Sequence, residues 1–151
     1  MEKKNDALEK SSIELADGSR YEGEIVNDLP EGKGVLERPN VGVYNGDFKE
    51  GLFHGEGTLT LSNGLTYSGQ FEKGQFKGYG VLVQPDGGKY EGEFLVAKFF
   101  GQGKLTLPDG SVWKGGFEQG KMMGKGVLTL PNGRKIEGEY LRNGRFIVGD
   151  S

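Results

Sequence analysis

The sequence predicts an all-β protein, a meander of stacked β-hairpins, on three observations. An aromatic residue or Ile recurs every 23 residues, at Tyr21, Tyr44, Tyr67, Tyr90, Trp113 and Ile136. A glycine stands two places after each of them (Gly23, Gly46, Gly69, Gly92, Gly115, Gly138), and a second large residue two places further, at Ile25, Phe48, Phe71, Phe94, Phe117 and Tyr140. Asn-Gly or Asp-Gly pairs punctuate the intervals. A fixed period of this length marks one small supersecondary unit stacked on copies of itself. The alternation of large with small or polar residues makes that unit out of strands, and the Asn-Gly and Asp-Gly pairs suit the tight turns that join them.

Taken along the chain, residues 1–11 hold no apolar stretch and are expected to form a flexible or weakly helical tail, not a signal peptide. Ser12-Ile13-Glu14-Leu15 reads as the closing strand of an incomplete leading repeat, with Asp17-Gly18 as its turn. The array then fills residues 12–151, with starts at 21, 44, 67, 90 and 113 and a truncated one at 136. The repeat that opens at Tyr44 shows the plan. Tyr44-Asn45-Gly46-Asp47-Phe48 is a strand, Lys49-Glu50-Gly51 a turn, Thr58-Leu59-Thr60-Leu61 a second strand, and Ser62-Asn63-Gly64 a turn in which Asn and Gly both supply positive φ. Asn40, Asn63, Asp86, Asp109 and Asn132 share that turn position, and Pro39, Pro85, Pro108 and Pro131 precede it, where a missing N–H ends a ladder.

Two more glycine columns, Gly32, Gly55, Gly78, Gly101, Gly124 and Gly34, Gly57, Gly80, Gly103, Gly126, stand in the second strands. Glycine weakens a strand, so columns of it need a steric reason. The expected one is that each large ring lies flat over a neighbouring glycine. The sixth repeat is expected to be truncated, without a second strand, which leaves Ile136–Tyr140 as an open edge; Phe146-Ile147-Val148 then either folds back as a cap or joins a two-fold dimer.

Composition narrows the function classes. Among 151 residues there are 29 glycines, no cysteine and one histidine, and the net charge is −3. No Lys/Arg run exceeds two residues, so the footprint of a nucleic-acid binder is missing, and direct membrane binding is not expected. Without cysteine there is neither a disulfide frame nor a thiolate site. No apolar run approaches membrane-spanning length, and a cytoplasmic home is expected. His54 sits alone among turn glycines, so a Ser/His/Asp set cannot be assembled. The carboxylates come in repeat-locked columns rather than as one singular pair, and the Gly-rich stretches lack a following Gly-Lys-Ser/Thr helix. No catalytic residue, cofactor site or metal site is expected.

The pattern Tyr-Glu-Gly-Glu-Phe, then Gly-x-Gly-x-Leu, then Asp-Gly, closely resembles the MORN (membrane occupation and recognition nexus) repeat. Tyr90-Glu91-Gly92-Glu93-Phe94 matches its signature as it stands, and the resemblance runs over residues 12–146. It implies a single-layer antiparallel sheet in an elongated, twisted half-pipe solenoid, used as an interaction module, scaffold or dimerisation arm. Departures from the pattern are Asp28 and Ala97 in place of a turn glycine, the apolar pair Phe99-Phe100, and Trp113, Lys114 and Gly116 in the fifth repeat.

A single uncovered sheet leaves one aromatic face without a second layer, and faces of that size usually receive something. The function expected is a non-catalytic protein–protein scaffold that holds a peptide or helix of a partner in an aromatic trough. Its expected contact row is Tyr44, Phe48, Tyr67, Phe71, Tyr90, Phe94, Trp113 and Phe117, with Phe100 and Met123 as a second apolar patch. The bland alternative is that the rings only pack the solenoid together. Phe53, Phe76, Phe99 and Met122 form a further row that reads as a minor core. The opposite face carries Glu22, Glu24, Asp47, Glu91, Glu93, Glu137 and Glu139 near Lys33, Lys104 and Lys125, either an acidic stripe for a basic partner or a solvated face. Alternatives to the scaffold are a phospholipid-associated organiser and a regulatory subunit of an enzyme.

Overall fold

The computed structural model describes residues 9–149. Among them there are thirteen β-strands and no helix, grouped in two compact units, Met1–Gln75 and Phe76–Ser151. The first unit holds β1 (Glu9–Glu14), β2 (Arg20–Val26), β3 (Leu29–Arg38), β4 (Gly42–Lys49), β5 (Leu52–Leu61) and β6 (Thr66–Glu72). The second holds β7 (Gln75–Val83, its first residue at the boundary), β8 (Lys89–Leu95), β9 (Lys98–Thr106), β10 (Val112–Glu118), β11 (Lys121–Thr129), β12 (Lys135–Tyr140) and β13 (Phe146–Val148). Within each unit every strand lies antiparallel beside its neighbours in the chain, a single-layer meander of hairpins.

Two turn types alternate, and each follows from its residues. Inside a repeat, two residues close the hairpin with both φ positive, as in Glu50-Gly51 (51° and 85°) and Gln119-Gly120 (51° and 85°). Such turns match the twist of the strands they join. Asn27-Asp28 (53° and 67°) and Val96-Ala97 (49° and 66°) adopt the same conformation without glycine. Between repeats the turn is wider, and only its glycine is left-handed, from Gly64 (101°) to Gly133 (92°). Asn63 therefore does not supply positive φ as expected. Its side chain instead accepts a hydrogen bond from the Leu65 N–H at 3.0 Å, and Asp17, Asp86, Asp109 and Asn132 do likewise with the residue two places on. Asn40, at φ 64°, is the exception that does supply it.

The strands outrun the expectation at three places. β1 starts at Glu9, so Glu9, Lys10 and Ser11, assigned above to a tail, pair with Ile25, Glu24 and Gly23; residues 1–8 of that tail lie outside the described residues. β5 begins at Leu52 rather than Thr58. β13 supplies the second strand that the sixth repeat was expected to lack, pairing Phe146 with Tyr140 and Val148 with Gly138. The missed turn there is Arg142-Asn143-Gly144, of the wider type, in which Asn143 accepts from the Arg145 N–H at 2.9 Å.

β5 stays continuous because it carries a bulge. Gly46 pairs with Gly57 and Phe48 with Phe53, so Asp47 faces three residues, His54, Gly55 and Glu56. The β2–β3 hairpin repeats this. At the bulge Gly32, Gly55, Gly78, Gly101 and Gly124 all have positive φ, between 65° and 88°. That glycine column thus answers a backbone need, not the flat ground expected of it.

Candidate functional site

The other glycine column does provide flat ground. A Cβ added at Gly57 would lie 2.5 Å from Cζ and 2.6 Å from Cε1 of Tyr44, and Gly34 stands in the same relation to Tyr21, Gly103 to Tyr90 and Gly126 to Trp113. Each ring also closes the bulge electrically. The Tyr44 hydroxyl donates to the Asp47 carbonyl at 2.7 Å, and Tyr21, Tyr67 and Tyr90 donate to Glu24, Gln70 and Glu93 at 2.6, 2.8 and 2.7 Å. Trp113 keeps the bond by another donor, its indole N–H reaching the Gly116 carbonyl at 3.2 Å. Ile136 has no donor, and β12–β13 has a straight register with no bulge to satisfy. Burial pushes the hydroxyls of Tyr21, Tyr44, Tyr67 and Tyr90 up to about 12.

Above each of the flat rings of Tyr44 and Tyr90 lies another. Phe53 stacks on Tyr44 at 3.8 Å and 8°, while Phe48 and Phe71 meet it edge-on at 5.0 and 5.1 Å. In the second unit Phe99 stacks on Tyr90 at 3.9 Å and 5°, with Phe94 and Phe117 edge-on at 5.1 and 5.0 Å. At its end Tyr140 and Phe146 close on Trp113 at 4.9 and 6.1 Å. Edge-to-face geometry adds about 0.5–1.5 kcal/mol per pair to the burial itself.

This packing places the expected contact row inside the core. Tyr44, Phe48, Tyr67, Phe71, Tyr90, Phe94, Trp113 and Phe117 are at most 4% exposed and form the core. A contact anchor needs an accessible surface, and these rings are enclosed by their neighbours, Tyr44 and Tyr90 by the phenylalanines stacked on them. The accessible ring-side row is the one read as a minor core: Phe53 in the first unit, and Phe76, Phe99 and Met122 in the second, all half-buried. Of the second patch, Phe100 is 42% exposed and Met123 half-buried. A hollow of about 360 Å³ in the second unit is lined by Leu105, Met122, Met123, Tyr140 and Leu141.

The opposite face of the strands is polar but not uniformly acidic. Lys33 pairs with Asp47, and Lys89 with Glu91 at 3.8 Å. Hollows open there. One of about 530 Å³ in the first unit is lined by Glu22, Lys33 and Asn45 and one of about 1030 Å³ in the second unit by Lys104, Lys114 and Arg134, while one of about 420 Å³ shares Val127, Glu137 and Val148 with the latter and adds Lys125 and Glu139. Tyr79, 56% exposed, was missed by sequence reasoning. It stands in the column of Lys33, Glu56, Gln102 and Lys125, where a lone aromatic was a legible signal. His54 is half-buried, and among the described residues no group of three or more His, Cys, Asp or Glu could hold a metal ion. No helix of the described chain is long and apolar enough to cross a membrane.

A search of the curated proteins returned no significant match. Among solved structures, the chain is similar to the SAS-4 (dCPAP) TCP domain of Drosophila melanogaster, determined in complex with a proline-rich motif of Ana2 (dSTIL), at 17% identity and a TM-score of 0.42 over 94% of this chain and 90% of that one. The family model for the MORN repeat matches five consecutive segments, residues 21–40, 44–66, 67–89, 90–112 and 113–133. Those segments cover most of the sequence and keep the phase of the rings, the glycines and the turns, so this chain belongs to the MORN repeat family.

Proposed function

We propose that this chain is a non-catalytic protein-binding module that holds a segment of a partner protein on the ring side of its second compact unit. The observation that carries the proposal is the 360 Å³ hollow lined by Leu105, Met122, Met123, Tyr140 and Leu141. Methionine and leucine around a concave apolar surface can repack against a guest chain, while the buried rings beneath keep the floor rigid. Affinity capture from the native host, with a Met123→Glu/Leu141→Glu variant beside the unaltered chain, tests it. The expected result is loss of a defined protein partner with an unchanged melting temperature. An identical set of captured proteins would sink the proposal. The same preparation should show no binding to vesicles of acidic lipid and no turnover of its own.

Self-association is a second contact that the exposed β13 supports, since Ile147 and Val148 are 46% and 64% exposed on it. Light scattering of the Ile147→Lys/Val148→Lys variant should report a lower mass than the parent chain. Equal masses would remove this contact from the proposal.

A further inference from the structure

The fifth repeat departs from its siblings on the polar face. Glu22, Glu91 and Glu137 share one position of the period, filled by Asn45 and Ser68 in two repeats, and in the fifth repeat that position is Lys114. Two residues on, where other repeats carry Glu24, Asp47, Gln70, Glu93 and Glu139, the fifth has Gly116. The fifth repeat is thus the one with a cation at the first position and no polar side chain at the second. β10 places Lys114 directly across from Lys104 on β9. Like charges directly opposite on adjacent strands destabilise a sheet, an effect offset in part by Glu91, which stands across from Lys104 on β8.

The two lysines do not stand alone. With Arg134 and Lys135 they line the hollow of about 1030 Å³, against the single carboxylate of Glu137. All four cations are exposed, and none has an ion-pair partner among the described residues. Between them lie Val112, Val127 and Val148, which give the hollow an apolar lining.

We infer that this hollow is a docking site for an acidic, extended segment of a partner polypeptide, whose Asp and Glu side chains bridge Lys104, Lys114, Arg134 and Lys135 while its apolar side chains meet the valines. A carboxylate between Lys104 and Lys114 turns their mutual repulsion into two attractions. Nucleic acid fits less well, because its phosphate backbone offers no aliphatic side chains to meet the valines. A flat anionic membrane does not enter a hollow. The site lies on the face opposite the ring-side surface proposed above and does not depend on it.

The test uses the full chain and a labelled synthetic peptide of alternating Glu and Val, read by fluorescence anisotropy. The expected result is binding that weakens at least about tenfold between roughly 50 and 500 mM salt, as screening shortens the reach of the charges. Lys114→Glu places there the residue of three sibling repeats and an opposite charge across from Lys104, so it should raise the melting temperature while weakening binding at least about tenfold. Lys98→Glu, outside the hollow and exposed, should bind as the parent does. The inference is overturned if the peptide does not bind, if Lys114→Glu binds as the parent does, or if acidic vesicles or a single-stranded oligonucleotide bind more tightly than the peptide.

Discussion

Replacing Gly57 by Ala isolates the contact on which every repeat is built. The added methyl would lie 2.5 Å from Cζ and 2.6 Å from Cε1 of Tyr44, and closer still to Oη. Carbon atoms rest at about 3.5–4.0 Å, so the ring must retreat by roughly 1 Å. It has nowhere to go, because Phe53 is stacked on its far side at 3.8 Å and Phe48 and Phe71 close its flanks. Overpacking of this kind costs about 1–3 kcal/mol, and a weakened Tyr44–Asp47 hydrogen bond adds about 1, for a total near 2–4 kcal/mol. For a chain of this size that is a fall in melting temperature of roughly 10 °C. Thermal unfolding followed by near-ultraviolet circular dichroism reads both the loss and the ring environment. Gly120→Ala is the reference: nothing lies within 4 Å of its methyl, but φ is +85°, so it carries only a backbone cost of about 1–2 kcal/mol. In a Tyr44→Ala background Gly57→Ala should cost almost nothing, because the three atoms nearest the new methyl all belong to Tyr44. If Gly57→Ala costs less than Gly120→Ala, or costs the same with and without the Tyr44 ring, the paving argument is wrong.

Three further outcomes are expected. Tyr90→Phe leaves the Glu93 carbonyl without its donor at 2.7 Å and should lower stability by about 1–3 kcal/mol in urea unfolding, with the slope unchanged. The phenols of Tyr21, Tyr44, Tyr67 and Tyr90 ionise near 10 when unfolded and at about 12 when folded, so their contribution is intact below pH 10 and is lost as pH rises from 10 through 12; in a variant with Tyr79 and Tyr140 replaced by Phe, a pH titration by circular dichroism should show unfolding in that window together with the tyrosinate absorbance, and tyrosinate forming in that variant while the fold persists would contradict it. Val96→Asn with Ala97→Gly replaces a β-branched residue at φ 49° and an alanine at φ 66° with residues that tolerate the left-handed region, and should raise stability by about 1–2 kcal/mol, measured as a higher melting temperature.

What the sequence disclosed and what it hid divide along physical lines. The rings, the ring-bearing glycines and the Asn/Asp turns were legible because each is a residue type forced by a local requirement and repeated in phase. The bulge was not. It adds two residues to one strand, which preserves the two-residue alternation, so the pattern of large and small side chains passes through it unmarked. Gly55 then looked like a second paving stone when it is a left-handed hinge at φ 65°. The burial of the expected contact row was hidden for a related reason. Periodicity shows which side of a strand Tyr44 and Phe48 occupy, but not that Phe53, brought alongside by the bulge, covers them. β13 was missed because the sixth hairpin changes turn type, and Phe146 reaches the covering position over Gly138 from a shifted place in the period. The charge reversal at Lys114 was visible in the sequence, but its pairing with Lys104 needed the register.

The short turns also reach backwards. The N–H of Gly51 donates to the carbonyl of Pro30 at 2.9 Å, Gly74 to Phe53 at 3.0 Å, Ala97 to Phe76 at 3.1 Å and Gly120 to Phe99 at 3.0 Å. Each bond spans the same stretch of chain and joins one repeat to its predecessor. This acts as a ruler on how such a gene can grow. An insertion of one whole period reproduces every one of these bonds and every ring contact at the new joint. An insertion one residue longer or shorter breaks the bond at that joint and turns the following rings to the wrong side of the sheet. Changes in the length of this array are therefore tolerated in whole repeats, by duplication or loss, and the partner-binding reach of the protein would be altered in steps of one hairpin.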